Sequence, residues 1–591
     1  MLGALVDEVG SLGALAAADW QHAEALLFAL RSIGEAVPAD EAVHLPRLFS
    51  ADALAQQLLP VLQARAGGDR AAQWALTSLK AAVIAVIGAY GDWWRGRGEL
   101  LAAVVPSVAA ALHEPALVPT AVAALRRICD SCRDELGAAA ASLVQLACDV
   151  LGAGAAVPPR EQQRIFEAVA EVVLAQPPET HAATLRPLTS ALLAALRSDV
   201  ARLESSLAEP EPPIAALADR LRLVEALARG LQFADDVEEH ALAGDADAAA
   251  TLAFAARCYQ DAALREFRAG LLAVLDRALE LQASMLQPDD SLLECMLGVV
   301  NSAVRRGPHA FAMPFADSVG FVGRAWAVAV ALPGADAAPV FRPRWADQCP
   351  ALLQSIAQLA TVATPAAWNA DADTDAADRV LGAVLTRAID DVSAGLARDA
   401  PTLPVAIEQQ PVVSEYVFDL CTRVLQARSV LLAHVESTTV ARLCTLSLHA
   451  LAVPNRLALK PTAYFLTALI RLSAANSRPS PATPLLAALW AEFGPAWLRA
   501  TLLGIGGAHP RSLLPNLAEL LFAMVRHHLS SVKLWLAELL AQPAFPSLHA
   551  SDSAKRQFVQ QLLATRSFVR AKAIVNEFSI QCRNLQGTAY A

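Results

Sequence analysis

Stretches one or two helices long alternate with short breaks of Pro, Gly, Asp or Ser along the whole chain, and this punctuation constrains the fold more than any single motif. Breaks fall near Pro38, Pro60, Gly91–Asp92, Pro115–Pro119, Pro177–Pro178, Pro210–Pro213, Pro401–Pro404, Pro454, Pro461 and Gly504–Pro510, among others. Proline removes a backbone donor and clashes with the preceding turn, so it ends helices or opens them at the first turn. Between the breaks, alanine and leucine dominate, and both favour helix. Aromatic residues make up only 6% of the 591 residues, which disfavours packed sheets.

The segments are amphipathic at helical spacing. In Ala121–Gly137, Val122, Leu125, Cys129, Cys132 and Leu136 step by three and four, and Gly137 stands where a C-terminal cap is expected. Val417, Phe418, Cys421, Val424 and Leu425 form a second stripe, and Phe558, Val559, Leu562 and Leu563 a third. Helix pairs recur at roughly 40–47 residues, and a single pair cannot bury its own apolar face, so it must stack on its neighbours. The expected fold is all-α: a right-handed superhelical α-solenoid of HEAT/armadillo-like antiparallel helix pairs. It should run continuously over residues 1–591, with loop excursions near 333–347 and 367–379.

Charge and cysteine usage narrow the function classes. The formal net charge is −11, with 47 Lys+Arg against 58 Asp+Glu. A nucleic-acid reader normally carries a basic stripe, so direct nucleic-acid binding is not expected. Nine scattered cysteines form no disulfide framework, as in a reducing compartment. The first twenty residues place Asp7 and Glu8 where a signal peptide would be basic. Uninterrupted apolar stretches such as Ala81–Tyr90 fall short of the roughly 18 residues of a spanning helix, so no membrane insertion is expected.

The sequence presents no catalytic constellation, no metal site and no cofactor motif. Cys129-x-x-Cys132 has no second pair to complete a zinc site, and both cysteines fall on a core stripe. Asp371, Asp373, Asp375 and Asp378 begin like a calcium loop, but Ala376 and Gly382 stand where Gly and Glu are needed. The Gly504–Gly507 run GIGG has no Lys-Ser/Thr after it and reads as a turn. Adjacent His527 and His528 point about 100° apart on a helix and chelate poorly.

Several segments, in order, resemble the transportin-3/importin-13 type of nuclear transport receptor in the importin-β (karyopherin) superfamily. They are Trp20–Glu35 (WQHAEALLFALRSIGE), Ala82–Leu112 with Trp93 near its turn, and Ala121–Leu136 (AVAALRRICDSCRDEL). Val412–Leu472, Asn516–Leu540 (NLAELLFAMVRHHLSSVKLWLAELL) and Lys572–Leu585 follow. The Ile-Cys-x-x-Cys-Arg-Asp ending of the third is the most specific. These blocks look like the middle and C-terminal parts of such receptors, with the N-terminal Ran-binding repeats expected to be absent.

The resemblance implies a non-enzymatic receptor shuttling between cytoplasm and nucleus. Its expected partners are protein cargo (basic or Arg-Ser-rich) on the concave face, Phe-Gly nucleoporins between outer helices, and the GTPase Ran. Asp289–Arg306 is similar in position to the arginine-rich helix of transportin-3, and the resemblance implies Arg305 and Arg306 as the candidate cargo-binding residues. Leu292, Leu293, Glu294, Met296, Leu297 and Val299 occupy most of that helix instead of arginines, a departure that weakens Arg-Ser cargo. A HEAT-repeat scaffold or adaptor unrelated to transport is the alternative reading.

Overall fold

The computed structural model describes the chain apart from residues 13–18, 65–69, 153–156, 208–212, 233–236, 238–239, 241–242, 286–288, 305–310, 312, 331–344, 362–373, 475–481 and 587–591. The described residues form helices and turns, and no strand occurs among them. Many helices open as the punctuation predicts. Pro119, Pro159, Pro178, Pro411, Pro484 and Pro515 sit in the first turn of their helices. Side-chain caps open others: Asp19 accepts from Gln21 N at 3.2 Å, and Asn455 from Leu457 N at 2.8 Å.

The chain forms two compact units, residues 1–314 with 367–370, and residues 315–366 with 371–591. Each is a two-layer stack. In the first unit one layer comprises the second helices of successive pairs: Val118–Cys132, Pro159–Leu174, Ile214–Gly230 and Asp290–Val304. Trp20–Ile33 and Arg70–Ala89 extend this layer at its start. The first helices Ala140–Gly152, Pro178–Ser205 and Ala262–Ser284 form the other layer. In the second unit the second-helix layer runs Trp345–Thr361, Pro411–Arg428, Arg456–Ser473, Leu514–His527 and Phe568–Cys582. Its first-helix layer runs Phe315–Ala329, Thr374–Asp399, Ser437–Ala452, Thr483–Leu503 and Leu529–Leu540.

The predicted stripes become the core. Val122, Leu125, Cys129, Cys132 and Leu136 are all buried, as are Val417, Phe418, Cys421, Val424 and Leu425. Of the third stripe, Phe558 and Leu562 are buried while Val559 and Leu563 are half-buried. Second helices inside each layer are covered on both flanks by their neighbours, which leaves a ridge of polar and some aromatic side chains open to solvent.

Several expectations need correction. Pro461 does not break the chain; it lies inside Arg456–Ser473, and Pro106 lies inside Gly98–Ala110. Each frees the carbonyl four residues earlier, at Leu457 and Ala102, and both residues are exposed, so water can replace the lost bond. Gly137 is not a helix cap either. The helix ends at Cys132, and Gly137 opens a 3-10 turn. A Cβ there would lie 2.6 Å from the end of the Gln176 side chain, which would have to move aside. The excursions expected at 333–347 and 367–379 lie outside the described residues except at their ends, where 345–347 and 374–379 begin helices. Arg70–Ala89 is one helix long and apolar enough to cross a membrane by length and composition, although no uninterrupted apolar run in it is that long. In this fold it packs against Trp20–Ile33 and Val118–Cys132 and buries Val83, Ile84, Val86 and Ile87.

Candidate binding surfaces

The two arginines expected to bind cargo, Arg305 and Arg306, lie outside the described residues. The helix leading to them, Asp290–Val304, is a core element: Leu292, Leu293, Met296, Leu297 and Val299 are buried and Glu294 is exposed. It lies so close to Ile214–Gly230 that a Cβ on Gly298 would sit 2.9 Å from the Glu225 carboxylate.

The motifs weighed for chemistry have structural surroundings. Cys129 is fully buried, and burial pushes its thiol far up from the ordinary range. Burial raises Cys132 to about 12, and its Sγ lies 3.5 Å from the Gly91 carbonyl. Neither is a thiolate at neutral pH. Gly504–Ala508 forms a tight turn in which Gly507 adopts φ 139°, a conformation open to glycine. Its carbonyls are clamped by the last helix: Ser579 Oγ donates to Ile505 O at 2.7 Å, and Arg583 donates to Gly504 O at 3.3 Å. Carbonyls satisfied this way do not make a phosphate cradle. Asp378, the last of the acidic run, pairs with Arg428 at 2.5 Å, while 371–373 lie outside the described residues. His528 stacks on Trp490 at 4.3 Å instead of facing a metal. Among the described residues, no group of His, Cys, Asp and Glu could hold a metal ion.

What remains are surfaces. On the second-helix ridges of the first unit, charges neutralise one another. Arg222 pairs with Asp219 at 2.7 Å, and Arg229 with Glu225 at 2.6 Å and with Glu167 at 3.7 Å. Beside them Glu171 is raised to about 6, chiefly by burial and then by the negative charges of Asp130 and Glu167. Near the start of this unit, Phe49, Tyr90, Trp93 and Trp94 cluster at ring distances of 4.6–5.7 Å. An open cleft of about 410 Å³ lies beside Trp93, Asp92 and Arg127.

The second unit is finished differently. Its second-helix ridges carry Lys460, Tyr464 and Arg471, then Phe522 and Arg526, then Phe568 and Lys572, all exposed or half-buried. On the first-helix side, Trp490, Trp497 and Trp535 form an aromatic cluster with ring centroids 5.1–6.5 Å apart. Gly494 makes room for it, since a Cβ there would lie 2.7 Å from the Trp535 ring. Leu529 and Leu534 are left exposed on the neighbouring helix. The sequence reading did not single out these basic ridges. The signal that could have found them is the absence of any Asp or Glu from Arg456–Ser473.

Comparison with known proteins fits this architecture. The family model described as "Importin 13 repeat" matches residues 451–532, which cover most of the Arg456–Ser473 and Leu514–His527 pairs. Importin-13 of Rattus norvegicus is 24% identical over 584 residues, 97% of this chain and 52% of that relative. Importin-13 of Gallus gallus is 42% identical over 100 residues, 17% of this chain and 10% of that relative. Among solved structures, "Importin13 cytosolic state" aligns with TM-score 0.68 at 16% identity, covering 99% of this chain and 57% of that one. The chain thus spans about half the length of the importin-13 chain it matches end to end. These relatives are importins and not enzymes, which is the ground for reading this chain as a non-enzyme. With a repeat match, a relative aligned along nearly the whole chain and the same stacked-helix fold, the chain is similar to the importin-13 type of the importin-β superfamily.

Proposed function

We propose that this chain is an importin-type nuclear transport receptor, or the cargo-holding part of one, that shuttles between cytoplasm and nucleus. The observation that carries the reading is the alignment of 97% of the chain with an importin-13, on stacks whose second helices leave ridges of polar and aromatic side chains exposed. Protein cargo would lie across those ridges. Phe-Gly nucleoporins would insert phenylalanines between first helices, where apolar side chains such as Leu529 and Leu534 are already exposed. Ran in its GTP form would change cargo affinity by biasing the packing of successive repeats, a coupling between two sites through one array.

The test is retention of the purified chain on immobilised Phe-Gly repeats, with and without RanGTP. Retention supports the receptor reading, and release of bound cargo by RanGTP adds the switch. No retention would sink it in favour of a scaffold unrelated to transport. Retention without a Ran response would restrict it to cargo holding.

A further inference from the structure

We propose that the second-helix face of the second unit, from Lys460 across Arg471 and Arg526 to Lys572, docks an extended acidic polypeptide segment. This deepens the receptor reading by naming the chemistry of one class of cargo. Three consecutive helices build the face, and they lie side by side in one layer. Arg456–Ser473 contributes Lys460, Tyr464 and Arg471 and has no carboxylate at all. Leu514–His527 contributes Phe522 and Arg526, and Phe568–Cys582 contributes Phe568 and Lys572.

Direct contacts fix their register. Ser473 Oγ lies 2.9 Å from His528 Nε2, which sets the C-terminal ends of the first two helices level. Each end carries an exposed arginine two residues earlier, Arg471 and Arg526. Burial lowers the pKa of His527, and the neighbouring positive charges of Arg526 and Arg471 lower it further, as expected in a cationic neighbourhood. Phe522 and Phe568 stand 5.9 Å apart and join the second helix to the third. Between those two helices a cleft of about 320 Å³ is lined by Arg511, Pro515, Lys572 and Asn576.

The charge on this face is unspent. Lys460, Arg471, Arg526 and Lys572 have no ion-pair partner among the described residues, whereas Arg127, Arg164, Arg220, Arg222 and Arg229 on second helices of the first unit are paired. A helix C-terminus favours a cation, which accounts for Arg471 and Arg526 singly. It does not account for Lys460 in the first half of its helix, or for Lys572 in the first turns of its own. Glu519 is the carboxylate that shares the ridge of Leu514–His527, too little to neutralise the face.

Geometry selects an extended strand of chain. Packed helix axes lie about 8–10 Å apart, and an extended chain advances about 3.3 Å per residue. A carboxylate at every third position therefore meets a new helix, where guanidinium and ammonium groups can take it in charge-assisted hydrogen bonds. Tyr464, Phe522 and Phe568 offer apolar contact to the residues between.

The experiment uses the full chain and three fluorescein-labelled dodecapeptides, with Glu, Gln or Lys at every third position, together with a poly-dT oligonucleotide. Fluorescence anisotropy should show the Glu peptide binding, weakening with salt, and losing at least tenfold in affinity in R471E/R526E. The milder R471Q/R526Q should lose severalfold, and R186E, an exposed change in the first unit, should lose nothing. Circular dichroism confirms that each variant is folded, and the glutamine pair decides if the charge reversal is not. Equal binding of the Lys peptide, equal binding of poly-dT, or unchanged binding in both double variants would overturn the proposal. Phe-Gly retention is read on the same preparations. Acidic-peptide binding without retention sinks the receptor reading alone, and retention without acidic-peptide binding sinks this surface alone.

Discussion

The two units share one construction and differ in how their second-helix ridges are finished. In the first, carboxylates and guanidiniums face each other at 2.6–3.7 Å, along Asp219–Arg222 and Glu225–Arg229–Glu167. In the second, Pro411–Arg428 still carries pairs, Arg423 with Asp419 at 2.8 Å and Arg428 with Asp378 at 2.5 Å. On the next three helices of the layer, Lys460, Arg471, Arg526 and Lys572 stand near aromatic side chains without an ion pair among the described residues. The first arrangement includes one pair between neighbouring repeats, Arg229 with Glu167, and leaves less charge for a partner. The last three ridges of the second unit keep their charge available. A solenoid can therefore assign alignment and recognition to different stretches of the same architecture, because each ridge is independent of the core beneath it.

The largest expected effect tests how much apolar packing contributes to the second unit. Trp497 is fully buried and donates Nε1 to Ser447 Oγ at 3.1 Å. Trp497→Ala should cost about 3–5 kcal/mol, read as a lower urea midpoint. A loss near 1 kcal/mol would show that the core there can collapse around the gap. Next come the close approaches. A Cβ on Gly230 meets the Glu167 backbone carbonyl at 2.4 Å, and a Cβ on Gly494 meets the edge of the Trp535 ring at 2.7 Å. Backbone cannot yield as a side chain can, so Gly230→Ala should cost about 2–3 kcal/mol and Gly494→Ala less. The reverse order in thermal melts would break the argument.

A smaller effect concerns Glu171, raised to about 6 from an ordinary 4.5. Its folded pKa exceeds its unfolded one, so ionisation costs the fold, and stability is lost as pH rises from about 4.5 through about 6. Glu171→Gln should stabilise by about 1 kcal/mol or less at pH 7, allowing for solvent screening, and should gain nothing at pH 4. An equal gain at both values would point to packing instead of charge. The smallest effect is Arg222→Ala, which removes a single surface pair and should cost about 0.2–1 kcal/mol without altering acidic-peptide binding.

The core was legible because a three-four spacing has one physical solution: Val122, Leu125, Cys129 and Cys132 had to share a face, and they do. Helix starts were legible where Pro stands in the first turn, as at Pro411. Pro461 misled because its cost depends on whether the freed carbonyl reaches water, a property of the packed neighbours and not of the sequence. Gly137 misled because the helix before it already ends at Cys132, so the glycine falls in the following turn. The basic face was hidden by averaging. Arg471, Arg526 and Lys572 are separated by about fifty residues each, and a net charge of −11 conceals a local excess of the opposite sign.

The clamp between Gly504–Ala508 and the last helix has a mechanical consequence. Ser579 and Arg583 grip carbonyls more than seventy residues earlier in the chain, so the stretch between them forms a closed loop fastened at its neck. A pull on the C-terminal end would load that neck before it reached any helix inside the loop. The last repeats should then yield together, in one rupture, while the helix pairs before them peel away singly.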